Sequence, residues 1–317
     1  MTEFTLPPSI HVLVHDWLSA NAIVTLDDAD SASVIDTGHV SRARQTRDGV
    51  RAALRGRRLR RIVNTHLHSD HCGGNAALQL EHGGPQACDI VVPHGELGAV
   101  DDWDESALSF QQTGQSAQAF RAAAGLRDGD ELRLGGLSWR AFAAGGHDPH
   151  ALMLFQPEHR LLISGDALWQ QGFGVVFPEL DPGSDAGAGF AAQRLTLQRI
   201  ETLAPALVIP GHGAVFADVG AALARAHARL DAFEKDPLRH AAHALRVLLM
   251  FHLLEHGGEL PRQRMRAWFE ATELVRRTLD HHWPGQQPGE AFVQTLDALL
   301  YAGAVVAQAE RVAARAA

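Results

Sequence analysis

Short apolar runs punctuated by turn-forming residues dominate the first hundred residues of the chain. These runs predict strands, because they are rich in Val, Ile and Leu and are bounded by Asn, Asp, Ser or Pro. The predicted strands cover residues 10–14, 22–26, 33–36, 60–65 and 89–93. Helical patterns at residues 46–54 and 73–80 lie between the later strands. Strands that alternate with helices are typical of βαβ units in an α/β protein.

From residue 126 onward the pattern changes from crossovers to hairpins. Residues 126–132 contain an Asp-Gly pair, which predicts a hairpin turn. Further elements are predicted as strands at residues 137–143, 151–155, 160–163 and 207–209, and as a helix at 190–203. The two halves therefore repeat a similar order of strands and helices. We expect an α/β fold with four layers, an αββα sandwich in which two mixed sheets pack face to face and helices cover their outer sides.

Beyond residue 217 the pattern is helical. Asp236-Pro237 marks an expected boundary, because the residue before a proline resists the helical conformation. We therefore predict a main domain at residues 1–235 and a C-terminal helical domain at residues 236–317. Helices are predicted within the second domain at residues 237–255, 261–270 and 290–301. The last stretch predicts either a short hairpin at 305–314, as in a degenerate winged helix, or a plain terminal helix.

Charge and composition narrow the classes of function. The 317 residues include 37 acidic and 28 basic side chains, which gives a net charge of −9, and Lys235 is the only lysine. This balance provides no bulk attraction to nucleic acid or to anionic membranes. Polar residues interrupt the most apolar stretch, 241–254, so we expect no membrane span. The N-terminus lacks the basic and apolar segments of a secretory signal, and we expect a cytoplasmic location.

The strongest chemical signal among the 19 histidines is the segment Asn-Thr-His-Leu-His-Ser-Asp-His at residues 64–71. In an extended loop alternate side chains point the same way, so His66 and His68 can reach one cation together. Asp70 and His71 are expected to face a neighbouring point, where the chain turns into a helix. Four potential ligands in six positions crowd a single ion and predict two adjacent metal sites, which need about six or seven ligands.

The remaining ligands are expected at the ends of later predicted strands. His147, Asp166 and His212 each follow such a strand, and a glycine directly precedes each of them. Glycine lets the backbone approach a crowded site closely. Sites on α/β scaffolds are usually built from side chains at strand ends. The sequence therefore predicts a metal centre assembled from one loop and three strand ends.

This ordered set resembles the metallo-β-lactamase fold hydrolases over residues 10–220. The family order is matched by the H-x-H-x-D-H run, a third histidine, an aspartate after glycine and a final Pro-Gly-His, and also by Asp36-Thr37-Gly38 and Asn21. The resemblance implies a first metal site formed by His66, His68 and His147. It implies a second metal site formed by Asp70, His71 and His212, and Asp166 as the ligand that bridges the two. The resemblance also implies that Asp36 accepts a hydrogen bond from one of the ligand histidines.

The resemblance implies two divalent metal ions as cofactors. Zinc is the default for histidine and carboxylate ligands without a redox task, with iron and manganese as alternatives. Such a centre would supply a bridging hydroxide and polarise a scissile carbonyl, and Asp70 is expected to orient that nucleophile or accept its proton. His150 lies in a His-Asp-Pro-His segment, one residue shorter than the usual His-Thr-Pro-Gly-His. We expect His150 to donate a proton, to bind substrate or to support the site from behind.

Aromatic residues near the predicted metals indicate a class of small-molecule substrate. A glycine-punctuated apolar loop after Asp166 is expected either to line the cleft or to pack under the C-terminal domain, and its aromatic residues are Trp169, Phe173 and Phe177. Trp17 and Trp103 are candidates for the opposite wall. A pocket lined in this way suits a thioester, or an ester or lactone, with an apolar acyl part.

Other functions remain open from the sequence alone. A metal-dependent phosphodiesterase or ribonuclease is disfavoured by the net charge and the single lysine. A mononuclear-iron sulfur dioxygenase of the same fold would use fewer ligands, and a non-enzymatic binding protein would usually lose one. The C-terminal arginines do not reproduce the basic clamp of a glyoxalase II-like glutathione thioesterase. We expect the C-terminal domain to be a lid over the cleft or a surface for homodimer formation, and nucleic acid is not expected as a partner.

Overall fold

A computed structural model describes residues 5–180 and 187–315 of the chain, and its first six strands form one mixed sheet. Spatial order and chain order coincide for β1 (Ile10–Leu13), β2 (Ala22–Leu26), β3 (Ser31–Ile35), β4 (Arg58–Val63), β5 (Asp89–Pro93) and β6 (Ala124–Leu126). Strands β1 to β3 are antiparallel neighbours, and β3 to β6 are parallel neighbours. Parallel neighbours need crossover connections. The helices in these crossovers are α1 (Ala43–Leu54), α2 (Ser69–Cys72), α3 (Asn75–Glu81), α4 (Leu97–Asp102) and α5 (Phe110–Thr113).

A second mixed sheet follows in the chain. Its strands are β7 (Glu131–Leu134), β8 (Leu137–Ala143), β9 (Leu152–Gln156), β10 (Leu161–Gly165) and β11 (Leu207–Pro210), and they are neighbours in this order. All neighbouring pairs are antiparallel except β10 and β11, which are parallel. Helix α6 (Ala188–Leu203) lies between β10 and β11 in the chain, and helix α7 (Val219–Lys235) follows β11.

The two sheets pack face to face over a shared apolar core. Ile23 and Ile35 of the first sheet share this core with Leu154 and Ile163 of the second sheet, and with the buried ring of Trp139. Side chains alternate between the two faces of a strand. The residues between these core positions therefore face the helices, and the strands are apolar on both sides.

Helices cover the outer face of each sheet. Val50 of α1 packs in one cluster with Ile62 of the first sheet. Leu197 of α6 and Leu230 of α7 pack in another cluster with Leu162 of the second sheet. The layers therefore run helix, sheet, sheet, helix, and the predicted four-layer αββα sandwich is confirmed.

The predicted hairpin at residues 126–132 is wrong. Leu126 pairs with Pro93 in the first sheet, whereas Glu131 pairs with Arg140 in the second sheet, so this segment crosses between the sheets. The hairpin turn lies instead at Gly135-Gly136, between strands β7 and β8. Both glycines have a positive φ, of 63° and 75°, as a type I′ hairpin turn requires.

The C-terminal region combines four helices with a small sheet. The elements are α8 (Pro237–Glu255), α9 (Arg262–Ala271), α10 (Glu273–His282), α11 (Pro288–Tyr301), β12 (Glu259–Pro261), β13 (Val305–Gln308) and β14 (Arg311–Ala314). Helix α8 begins where the Asp236 side chain accepts a hydrogen bond from the Arg239 backbone N–H. Strand β14 pairs antiparallel with both β12 and β13. The chain thus ends in the hairpin expected of a winged helix, and the alternative of a plain terminal helix is wrong.

The C-terminal helices surround an apolar core of their own, which includes Leu249, Phe269, Phe292 and Val312. Phe177, from the loop after β10, packs against the edge of this core. Within the two described ranges, no helix has both the length and the apolar character needed to cross a membrane.

Candidate metal centre

The histidine-rich segment forms an extended loop after β4 that leads into the short helix α2. His66 and His68 lie two positions apart in this loop, and their ring centroids are 4.7 Å apart. Asp70 and His71 lie within α2. The loop and the helix therefore present two pairs of side chains to neighbouring points, as the spacing predicts.

Three strand ends in the second sheet bring the other predicted ligands to the same place. His147 follows β8, Asp166 follows β10 and His212 follows β11. The seven side chains form two groups in which potential ligand atoms lie within 4.8 Å of one another. The groups are His66, His68 and His147, and Asp70, His71, Asp166 and His212.

Asp166 connects the two groups through its two carboxylate oxygens. Its Oδ2 lies 3.4 Å from His147 Nε2 in the first group. Its Oδ1 lies 3.2 Å from His71 Nε2 and 3.7 Å from His212 Nε2 in the second group. A carboxylate placed in this way can offer one oxygen to each of two adjacent ions.

The surroundings of these side chains fit metal ions. His66 Nε2 and His71 Nε2 are buried and have no hydrogen-bond partner within the described ranges, although buried polar atoms are normally satisfied. A side chain at position 211 would place its Cβ 2.3 Å from Asp166 Oδ1. A side chain at position 174 would place its Cβ 2.7 Å from the His147 ring. The glycines at these positions therefore leave room for the ligands to converge.

The protonation states of His66, His147 and Asp70 suit metal ligation. Burial lowers the pKa of His66 well below its usual value, and burial together with His68 lowers the pKa of His147 to about 4. Burial alone would raise the pKa of Asp70, but the contact with His212 and the charge of His71 outweigh it and lower this pKa to about 2. Neutral imidazoles and an ionised carboxylate are the forms that bind metals.

Several contacts are made to the ring nitrogens of the potential ligands that point away from the centre. Asp36 Oδ2 lies 2.7 Å from His71 Nδ1, which matches the supporting role expected of Asp36. The Val175 carbonyl oxygen lies 2.6 Å from His147 Nδ1. Each contact orients a ring so that the opposite nitrogen is available to an ion.

Asp148 lies beside the potential ligand His68 and was not among the predicted site residues. Its buried Oδ2 lies 3.7 Å from His68 Nε2, and its Oδ1 accepts a hydrogen bond from the His150 backbone N–H. The sequence did contain a signal for this residue, because Asp148 replaces the threonine of the usual His-Thr-Pro-Gly-His segment. The side chain of His150 is exposed and its ring lies beside Gly95. Its expected part in proton donation or substrate binding stays a prediction.

A cavity of about 490 Å³ opens beside the two groups. Its lining includes Asp166, His147 and the four aromatic residues predicted to bind substrate, Trp17, Trp169, Phe173 and Phe177. The Trp169 ring lies 5.2 Å from the His212 ring, and its Nε1 donates a hydrogen bond to Asp166 Oδ1. The apolar loop thus lines the cleft and, through Phe177, also packs against the C-terminal core.

Trp103, the other expected wall residue, lies elsewhere. Its ring packs against Phe110 and Phe120 at 6.3 Å and 5.4 Å, on the helix-covered side of the first sheet. These aromatic neighbours partly bury it there. The expectation that Trp103 lines the cleft is wrong.

Helices α7 and α8 supply lining residues that the sequence reasoning did not find. Arg229 and His243 lie 2.7 Å apart at Nη2 and Nε2, and both line the cavity, as does Phe251. The Arg229 guanidinium also lies over the Phe173 ring, 5.7 Å from its centroid. Helix α8 of the C-terminal region therefore contributes to one wall of the cleft. The expectation that this region is a lid or a surface for homodimer formation stays a prediction.

A sequence model of the metallo-beta-lactamase superfamily matches residues 15–212. Two similar curated proteins are both named hydroxyacylglutathione hydrolase. The protein of Methylococcus capsulatus is 30% identical over 123 residues, which cover 39% of this chain and 39% of that protein. The protein of Rhodopseudomonas palustris strain BisB5 is 28% identical over 167 residues, which cover 52% of this chain and 50% of that protein. These alignments thus span 39% to 50% of the relatives' length.

Solved structures show the same fold. A metallo-beta-lactamase family protein of Thermus thermophilus gives a TM-score of 0.56 at 19% identity, and the alignment covers 98% of this chain and 100% of that one. A beta-lactamase domain protein of Burkholderia ambifaria gives a TM-score of 0.56 at 23% identity, with coverage of 98% and 94%. The sequence match spans more than half of the chain and includes all seven clustered side chains. The chain therefore belongs to the metallo-beta-lactamase superfamily.

Proposed function

We propose that this protein is a metal-dependent hydrolase that cleaves a carbonyl substrate at a dinuclear centre. The observation that carries this proposal is the position of Asp166, with one oxygen toward each ligand group, at the wall of a largely apolar cavity. In this proposal zinc is the default ion. The first ion would be held by His66, His68 and His147. The second ion would be held by Asp70, His71 and His212. Asp166 would bind both ions.

The chain's own residues divide the remaining work. Divalent ions bound there would supply a nucleophile at neutral pH and stabilise the oxyanion of a carbonyl substrate. Asp70 is ionised and lies 3.1 Å from His212 Nε2, so it can orient that nucleophile or accept its proton. Trp169 closes the site beside His212 and holds Asp166 by its indole N–H.

The cavity supports an acyl substrate, with a thioester, an ester or a lactone as the bond that is cleaved. Trp17, Phe173, Phe177 and Phe251 provide an apolar lining suited to an acyl chain. Hydroxyacylglutathione, in the name of the similar curated proteins, is a thioester, which favours this bond type. Arg229 adds a positive charge to the same cavity and can pair with a carboxylate of the substrate.

A metal analysis combined with a substrate screen tests the proposal. We expect the purified protein to hydrolyse acyl thioesters or lactones, and to lose both bound metal and activity on Asp166→Asn. His227→Gln, a partly exposed histidine of α7 that contacts Glu201, is the matched control and should retain both. Hydrolysis of phosphodiesters alone, or oxygen consumption by a single iron, would overturn the proposal.

A further inference from the structure

A second cluster of metal-ligating side chains lies where helix α8 meets the loop after β3. His252, Glu255 and His256 share one face at the C-terminal end of α8, because residues three and four apart lie on the same side of a helix. One potential ligand atom from each lies within 4.8 Å of the others. We propose that these residues, together with His39, bind a divalent transition ion such as Zn²⁺ and so tie the C-terminal region to the main sandwich.

The Glu255 carboxylate is the common neighbour of the three histidines. Its Oε1 lies 2.7 Å from His252 Nδ1 and 3.6 Å from His256 Nδ1, and its Oε2 lies 3.9 Å from His39 Nε2. Ligand atoms about 2 Å from a tetrahedral ion are separated from one another by about 3.3 Å. The observed separations lie on both sides of this value. His256 Nδ1 also lies 3.0 Å from the His252 carbonyl oxygen, so the His256 ring must turn away from that contact to bind an ion through this nitrogen.

His39 provides an observation that is independent of the helix. Its side chain is 3% exposed, and its Nε2, which faces Glu255, has no hydrogen-bond partner among residues 5–180 and 187–315. A buried nitrogen without a partner destabilises a protein, and an ion would provide the missing partner.

The opposite nitrogen of His39 is already held in place. Ser41 Oγ lies 2.8 Å from His39 Nδ1, so the ring can donate a hydrogen bond there and offer the Nε2 lone pair to a metal. The Ser41 backbone N–H, 3.2 Å from the same Nδ1, favours the other tautomer in the metal-free protein. Metal binding would therefore exchange the backbone contact for the hydroxyl contact.

The donor set and the location suggest both the ion and its effect. Imidazoles with one carboxylate suit zinc, and His256, whose side chain is 34% exposed, leaves a path for the ion to enter. Phe251 precedes His252, lies 5.6 Å from the His39 ring and lines the substrate cavity. An ion at this site would fix that cavity wall.

Zinc stoichiometry tests this site directly. Wild-type protein and variants are dialysed against buffered micromolar Zn²⁺, and bound zinc per chain is measured by mass spectrometry. We expect His39→Asn and His256→Gln each to bind one equivalent fewer than the wild type. Asparagine at position 39 can still accept the Ser41 backbone N–H at the helix start. His281→Gln, an exposed histidine of α10, is the control and should match the wild type.

A second measurement guards against a folding defect. In the metal-free state, His256→Gln, at a partly exposed position, should unfold at about the same temperature as the wild type, and in both variants the extra rise on zinc binding should be smaller than in the wild type. The two substitutions lie in different parts of the fold. If one variant has a folding defect, the zinc content of the other variant still tests the proposal. Equal zinc content in all four proteins would overturn the proposal. The expected difference of one equivalent holds whether the main centre binds one ion or two, so failure here and failure of the proposed hydrolase are separate results.

Discussion

The buried carboxylate of Asp36 lies 2.7 Å from Nδ1 of His71, which turns the other ring nitrogen toward Asp166. The same carboxylate accepts hydrogen bonds from the backbone N–H and the hydroxyl of Thr65, at 2.8 Å and 2.7 Å. Asp36 thus orients a potential ligand and also anchors the start of the histidine-rich loop. Its φ of 54° lies in the left-handed region, where Asp and Asn are accepted more readily than most residues.

Asp36→Asn should weaken metal binding without straining the backbone. Asparagine retains the shape and tolerates this φ, but it lacks the charge that favours a proton on His71 Nδ1. We expect metal affinity to fall about 10- to 100-fold, measured by competition with a chelator. Asp48→Asn, an exposed aspartate of α1, should leave the affinity unchanged. An unaltered affinity for Asp36→Asn would contradict the supporting role.

Asp70→Asn tests proton handling when it is compared with the wild type at equal metal content. The Asp70 carboxylate, with a pKa lowered to about 2 by His212 and His71 against the effect of burial, is ionised at neutral pH. Asparagine can fill the same space but cannot accept a proton. We expect kcat to fall at least about 100-fold in samples with full metal content. Undiminished turnover at full occupancy would show that Asp70 does not act on the nucleophile.

The seven clustered side chains could be predicted because each carries a local signal. His66 and His68 share one short segment, and Asp166 and His212 each follow a glycine at the end of an apolar strand. The face-to-face sheets bring such strand ends together, so the order of residues along the chain was enough. The Asp-Gly error shows the limit of this approach, since the pairing of Leu126 with Pro93 is decided by a distant strand.

The cavity wall could not be predicted in the same way. Arg229, His243 and Phe251 lie on two helices whose apolar patterns are consistent with many packing arrangements. Only the docking of α7 and α8 onto the sandwich brings them to the cavity. Trp103 was wrongly predicted to line the cavity, because its position depends on packing against Phe110 and Phe120 rather than on its acidic neighbours in the sequence.

Trp169→Ala should change the length of acyl chain that the protein prefers. The indole lines the cavity and also donates a hydrogen bond to Asp166. We expect KM to rise about tenfold for long-chain substrates, since about 1.4 kcal/mol of apolar contact is lost, and to change little for short-chain ones. Trp169→Phe retains an apolar ring without the N–H, so it separates wall contact from support of Asp166. If the ratio of KM for long-chain to KM for short-chain substrates is the same in the wild type and both variants, Trp169 does not contact the acyl chain.

Arg229→Met should reveal whether the substrate carries an anion. The guanidinium lines the cavity beside His243, and methionine retains length and apolar contact without the charge. We expect KM for thioesters that bear a carboxylate to rise about tenfold, because a charge-assisted contact is lost, while neutral thioesters keep their KM. Arg194→Met, on the exposed side of α6, is the control. An equal change for both substrates would indicate a purely structural role.

His240 links stability to pH through its burial between helices. Its ring packs edge-on against Phe190 and Phe233, at 4.8 Å and 4.9 Å. Burial, assisted by the positive charges of His282 and Arg229, lowers the pKa of His240 to about 4. In the unfolded chain the pKa is about 6.5, so between these two values the unfolded state binds the extra proton.

Stability from the neutral His240 ring is therefore complete above pH 6.5 and is lost as the pH falls toward 4. At pH 5 the loss from this group is about 2 kcal/mol. His240→Leu retains an apolar contact but cannot be protonated, so its free energy of unfolding should fall less between about pH 7.5 and about pH 5 than that of the wild type. Urea denaturation at both pH values measures the difference, with the exposed His281→Leu as control. If His240→Leu and His281→Leu lose the same stability on acidification, titration of His240 is not the cause.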